Sequence, residues 1–216
     1  MAPHPLAGYI DHTNLRPDAT AADIRDLCAQ ARDHGFATVC ANPIWVAEAA
    51  SQLDGSEVGI CAVVGFPTGA HTTQIKVAEA LQCVRNGATE IDMVATHGWL
   101  KEGKDEDYKR DIASVRAAIG PDITLKVIIE ASLLTESEII RAAALVTAAG
   151  ADFAKTSTGV YGQARLEDVV LLRRVLPPHM KIKAAGGIRT AEQARAFIDI
   201  GVERIGTSSS VNLVSN

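Results

Sequence analysis

The chain has 216 residues, of which 47% are hydrophobic, 22% charged and 4% aromatic, with a formal net charge of -5. That mixture excludes disordered, collagenous and coiled-coil chains. An acidic balance also argues against non-specific nucleic-acid binding, which needs basic stripes to release counterions. Cys28, Cys40, Cys61 and Cys83 form no Cys-x-x-Cys pair and read as small buried apolar residues, so thiols in a reducing cytoplasm are expected. The start, Met1-Ala-Pro-His-Pro5, has neither a basic flank nor an apolar run, so no signal peptide is expected. Residues 58–75 contain no Asp, Glu, Lys or Arg, but Gly59, Gly65, Pro67, Gly69 and His71 interrupt them. That stretch reads as a buried strand, a polar loop and a helix start, and no membrane partner is expected.

Short apolar runs alternate with helical patterns along the whole chain. The predicted strands are 9–11, 37–40, 58–64, 90–94, 124–129, 152–155, 181–184 and 203–206. Between the first two, Ile24, Leu27, Cys28 and Ala31 form one helical face behind a Thr20-x-x-Asp23 start. Tyr108, Ile112, Val115 and Ile119 repeat that face later. Thr135-x-x-Glu138 and Thr190-x-x-Gln193 have capping-box spacing. Several strands, such as Ile60-Cys-Ala-Val-Val64, are continuous apolar runs, as parallel strands covered on both faces should be. Eight regularly spaced βα units predict a single α/β domain over 1–216, a (β/α)8 TIM barrel. An open doubly wound sheet is the rival, but the first strand leads into Asp11-His-Thr-Asn-Leu15, not a glycine fingerprint.

Barrel enzymes carry their chemistry at the C-terminal strand ends, so polar residues there matter. They are Asp11, Asp92, Lys126, Lys155 and Lys183, with Gly186-Gly187 and Gly206-Thr-Ser208-Ser209 after strands seven and eight. Any one lysine there is ordinarily solvated, and an acid ordinarily caps a helix or pairs with a lysine. The combination reads differently. Lys155 and Lys183 end adjacent strands, and a like charge nearby disfavours the charged form, producing an amine able to attack a carbonyl. Asp92 could then shuttle protons. Lys126, on the strand between Asp92 and Lys155, is the nearest competitor. It is counted among the substrate contacts, although Thr124 and Ile128 on its own strand face leave a helix-facing orientation open. The two glycine-bearing ends predict a phosphate site made of backbone N–H groups, with the helix opened by Thr190 aimed at the ligand.

These residues resemble the deoxyribose-phosphate aldolase family, class I aldolases on a (β/α)8 barrel. The similarity runs nearly end to end, through 10–15, 39–43, Val64-Gly-Phe-Pro-Thr-Gly69, Glu90-Ile-Asp-Met-Val94, Phe153-Ala-Lys-Thr-Ser-Thr-Gly159 and Lys183-Ala-Ala-Gly-Gly-Ile-Arg-Thr190. The resemblance implies reversible cleavage of 2-deoxy-D-ribose 5-phosphate to D-glyceraldehyde 3-phosphate and acetaldehyde. It implies Lys155 as the Schiff-base lysine, Lys183 as its perturber and proton relay, and Asp92 as proton donor and acceptor. Asp11, Thr13, Cys40, Lys126, Thr156, Gly159, Gly186, Gly187, Gly206, Ser208 and Ser209 are the substrate contacts expected with them. No cofactor or metal is expected, since an iminium is its own electron sink. The partners expected are phosphosugar and aldehyde substrates, with a homodimer implied by resemblance alone.

The chain departs from the pattern at three places. Val160 stands where some relatives have lysine, Ala185 where many have serine, and the tail 211–216 has no tyrosine. These bear on affinity and turnover more than on reaction type. A metal-dependent aldolase or isomerase is the enzymatic rival, but the six histidines form no ligand-spaced pair. A non-catalytic sugar-phosphate sensor would need the glycine loops but not two lysines and an aspartate.

Overall fold

A computed structural model describes residues 4–215; the expected leaderless start at 1–3 and Asn216 lie outside the described residues. Eight parallel strands close in sequence order into a barrel, β8 pairing with β1. They are β1 Ile10–Asn14, β2 Thr38–Ala41, β3 Gly59–Val64, β4 Glu90–Val94, β5 Thr124–Ile128, β6 Phe153–Lys155, β7 Lys181–Ala185 and β8 Arg204–Thr207. Helices alternate with them: α1 Ala21–His34, α2 Val46–Gln52, α3 Thr73–Arg85, α4 His97–Lys101, α5 Asp105–Ile119, α6 Glu136–Ala148, α7 Leu166–Val175, α8 Ala191–Asp199 and α9 Ser210–Val214. The TIM-barrel expectation therefore holds, and the open sheet is excluded. No helix among the described residues is long and apolar enough to cross a membrane.

The local signals behave as their chemistry requires. Thr20, Thr135 and Thr190 each accept a hydrogen bond from the backbone three residues on, and the side chains of Asp23, Glu138 and Gln193 return it. Tyr108, Ile112, Val115 and Ile119 bury one face of α5. The main core lies between strands and helices, where Val39, Ile91, Leu125, Val127 and Ile182 pack outward.

Strand β1 differs from its predicted range. Tyr9 belongs to a turn of 3-10 helix, and the strand runs on to Asn14. Its polar residues hid it. Asp11 has interior ion-pair partners, whereas His12 points out, bonding Gln30 of α1 at 2.9 Å. A strand with a charged inner face shows no apolar alternation. The interior is divided. Cys40, Cys61 and Val63 make an apolar wall with Leu15 and Phe66, and charged groups lie against it, Lys126 Nζ reaching Cys61 Sγ at 3.4 Å.

Candidate active site

Adjacent parallel strands in register set the site. Asp92 on β4 pairs with Lys126 on β5, and Lys155 on β6 pairs with Lys183 on β7. Period-two alternation turns all four side chains inward. Asp92 becomes the hub. Its Oδ2 accepts from Lys155 Nζ at 2.7 Å and from Lys183 Nζ at 2.7 Å, and its Oδ1 accepts from Lys126 Nζ at 2.9 Å. The two strand-end ammonium groups thus share one carboxylate oxygen, the neighbourhood expected from sequence.

Lys126 is corrected by this geometry. It faces the barrel interior, not the helices, and is fully buried between Asp92 and Glu90. Ile128 shares that inner face, whereas Leu125, Val127 and Ile129 meet the helices. Below lies a ladder the sequence reading missed. Arg204 forks onto Glu90 at 3.0 and 3.1 Å and also pairs with Asp11, which pairs with Lys183. Thr38 donates to Asp11 Oδ1 at 2.8 Å. Glu90 stands two residues before Asp92 on one strand face, a spacing that could have revealed it.

The ladder fixes charge states. Burial alone would raise the carboxyl of Asp92, but the pull of Lys126, Lys155 and Lys183 overcomes it and holds the group well below the usual carboxylate range. Asp11 is lowered by the same contest, with Lys183, Lys126 and Arg204 prevailing over burial. For Lys183, burial pushes the ammonium down, yet Asp11 and Asp92 raise it above an ordinary lysine. Lys183 therefore rests as a cation beside Lys155.

A cavity of about 670 Å³ opens above this floor, and Lys155 is the floor residue that reaches its wall. Asp92, Lys183, Asp11, Lys126, Cys40 and Thr156 lie beneath, all fully buried. Thr13, Gly159, Gly186, Gly187, Gly206 and Ser208 line it as expected, whereas Ser209 does not. Cys40 belongs to the apolar wall instead, and Thr156 hydrogen-bonds the backbone of Ala185. The backbone N–H groups of Gly159, Gly187 and Ser208 have no acceptor among the described residues.

Two parts of the expected phosphate site change. The N–H groups of Arg189 and Thr190 bond Gln193 Oε1, so the capping box of α8 uses donors that were expected to face a ligand. Gly206 serves the floor: a Cβ there would come within 3.0 Å of Lys183 Cε. Gly187 is in the left-handed region, at φ 77°, which a glycine adopts without strain. Sequence reading also missed Arg189, an exposed cation on the cavity wall with no ion-pair partner among the described residues. Its place directly after Gly-Gly-Ile was the available signal.

Cys40–Cys61–Asp92 and Asp11–Cys61–Glu90 bring potential metal donors together. Each carboxylate in them already holds an ammonium or guanidinium, and those cations would repel a dication. The donor sets suit lysine chemistry better.

A family model described as DeoC/LacD family aldolase matches residues 6–208. A protein of Brevibacillus brevis named deoxyribose-phosphate aldolase is 51% identical over 208 residues, covering 96% of this chain and 94% of the relative. One of Listeria innocua with the same name is 46% identical, covering 97% and 95%. Among solved structures, the deoxyribose phosphate aldolase of Aeropyrum pernix, described as tetrameric, superposes with a TM-score of 0.91 at 34% identity, covering 97% of this chain and 89% of that one. With both lysines and the aspartate converging on one oxygen, and the family model spanning nearly the whole sequence, the chain belongs to the DeoC/LacD family of aldolases.

Proposed function

We propose that this aldolase cleaves 2-deoxy-D-ribose 5-phosphate reversibly to D-glyceraldehyde 3-phosphate and acetaldehyde, through a Schiff base on Lys155. The observation that carries the reading is the shared Oδ2 of Asp92, held by Lys155 and Lys183 at 2.7 Å each, beneath a cavity that only Lys155 enters from the floor. Lys155 Nζ, having given up its proton, attacks C1 of the open-chain sugar, and water leaves as the iminium forms. The iminium draws in the electrons of the C2–C3 bond while the C3 hydroxyl loses its proton, releasing glyceraldehyde 3-phosphate. The remaining enamine is protonated at C2, and water returns to free acetaldehyde and Lys155. Asp92 and Lys183 move these protons as a pair. Asp92 orients both ammonium groups, and Lys183 holds a positive charge beside Lys155.

The phosphate is assigned to the far rim. Free N–H groups of Gly159, Gly187 and Ser208 supply the donors there, and Arg189 supplies the charge. Incubation with acetaldehyde and borohydride, followed by peptide mapping, tests the mechanism. An ethyl adduct on Lys155 is expected, and one on Lys126 or Lys183 would overturn the assignment. A cytoplasmic location belongs to the same proposal, supported by four buried cysteines that are all free thiols. So does self-association as a homodimer, which light scattering would check.

A further inference from the structure

Glu130 departs from ordinary protein chemistry twice. It is the one non-glycine residue with positive φ among the described residues, at 48° in the left-handed region. Its carboxylate is also fully buried, with no lysine, arginine or histidine at ion-pair distance among the described residues. Each feature carries a cost, of order 1–3 kcal/mol for the backbone alone, and such costs persist where surrounding structure enforces them, often at functional sites. Glu130 stands just past the C-terminal end of β5, on the active-site side of the barrel.

Its partners show what it does. Glu130 Oε2 accepts from the backbone N–H of Thr158 at 3.0 Å and from Thr158 Oγ1 at 2.5 Å. Thr158 Oγ1 in turn accepts from the backbone N–H of Val160 at 3.1 Å. Ser132 donates to Glu130 Oε1 at 3.3 Å. The first and third amides of the Thr158-Gly159-Val160 lip are thereby tied to one carboxylate. The middle amide, that of Gly159 at φ 82°, is left without a protein acceptor. This lip begins three residues after Lys155 and lines the cavity, and Gly159 packs against Gly186 of the opposite glycine loop.

We propose that Glu130 is a positioning residue: by engaging Thr158 and Val160 it turns the Gly159 N–H into the cleft, where it donates to the substrate phosphate. Its role is in substrate specificity, without contact with the reacting atoms. The proposal rests on the phosphate reading given above, and the experiment separates the two. Steady-state kinetics are measured with deoxyribose 5-phosphate and with unphosphorylated deoxyribose, for the unaltered chain, Glu130→Ala, Glu130→Gln and Thr158→Val. Glutamine keeps a carbonyl oxygen that can accept both Thr158 bonds, so Glu130→Gln should stay within about threefold of the unaltered KM.

Glu130→Ala and Thr158→Val should raise KM for the phosphorylated sugar about tenfold, the scale of one charge-assisted hydrogen bond, with kcat little changed and the unphosphorylated sugar unaffected. Equal losses with both sugars, or an unchanged KM with the phosphorylated one, would overturn the role of Glu130. If the unaltered chain does not prefer the phosphorylated sugar and inorganic phosphate does not compete, the phosphate reading fails first. Should Glu130→Ala not fold, Thr158→Val with the Glu130→Gln control decides the matter alone.

Discussion

The floor of the site and its rim are built on opposite plans. The floor is made of side chains on rigid strands, namely Asp11, Glu90, Asp92, Lys126, Lys155, Lys183 and Arg204, joined in one ionic ladder. The rim is made of loop backbone, with glycines at 159, 186, 187 and 206 and one free cation, Arg189, among the described residues. Bond making needs atoms fixed to fractions of an ångström, and buried strands supply that. Phosphate recognition needs several donors around one anion, and backbone N–H groups on turns supply those. Damage to the floor should therefore appear in kcat, and damage to the rim in KM.

Lys183→Leu is the harshest break. It removes the cation beside Lys155 and leaves Asp11 and Asp92 with one partner fewer, so kcat should fall roughly 10²–10⁴-fold, as for loss of an acid–base group. Near-normal turnover in a rapid-quench assay would make Lys183 a structural lysine. Gly206→Ala sharpens the comparison, because a rim glycine should behave as a floor residue. Its Cβ would press on Lys183 Cε, and kcat should drop about ten- to a hundredfold with KM for the phosphorylated sugar little changed.

Acid stability distinguishes the floor from the outer shell. Burial, with Lys76 and Lys101 adding to it, lowers His97 from 6.5 to about 4. Its depressed value gives stability that is present above pH 6.5 and lost as pH falls toward 4, about 3 kcal/mol at most. Asp11 and Asp92 are depressed too, so their share is present above pH 3.8 and lost only below it. Urea midpoints measured against pH should show the first loss shrink in His97→Phe while the second stays. Arg189→Ala should raise KM for the phosphorylated sugar about tenfold and spare the unphosphorylated one. Val160, 58% exposed on the cavity wall, gives the smallest effect: Val160→Lys should lower that KM two- to threefold, as an exposed charge allows.

Strand count, helix caps and the Asp92–Lys155–Lys183 constellation were legible because each has a local signature: apolar runs, threonine three residues before an acid or amide, lysine at a strand end. What stayed hidden depends on which way a strand faces. Lys126 sits among Thr124, Leu125, Val127 and Ile128, and hydropathy cannot tell an interior filled with charge from an exterior covered by helices. Arg204 was unreadable for the same reason, since its partners come from other strands, and Glu90 left only its two-residue spacing from Asp92 as a sign. Glu130 was hidden differently. Its significance is a backbone angle and a bond to a loop 28 residues on, and neither leaves a trace in Ile128-Ile129-Glu130-Ala131.

Counting the ladder gives four cations against three carboxylates, so the interior holds one positive charge in excess. That excess has a natural seat, because Lys155 alone among the seven lines the cavity. In the mechanism proposed above, the interior becomes neutral when Lys155 surrenders its proton, and the same single charge returns to the same nitrogen when the iminium forms. The barrel would thus meet the charge of that proposed intermediate already arranged for it, with carboxylates and counter-cations that need not turn. Little reorganisation is left for the step in which the carbon–carbon bond breaks.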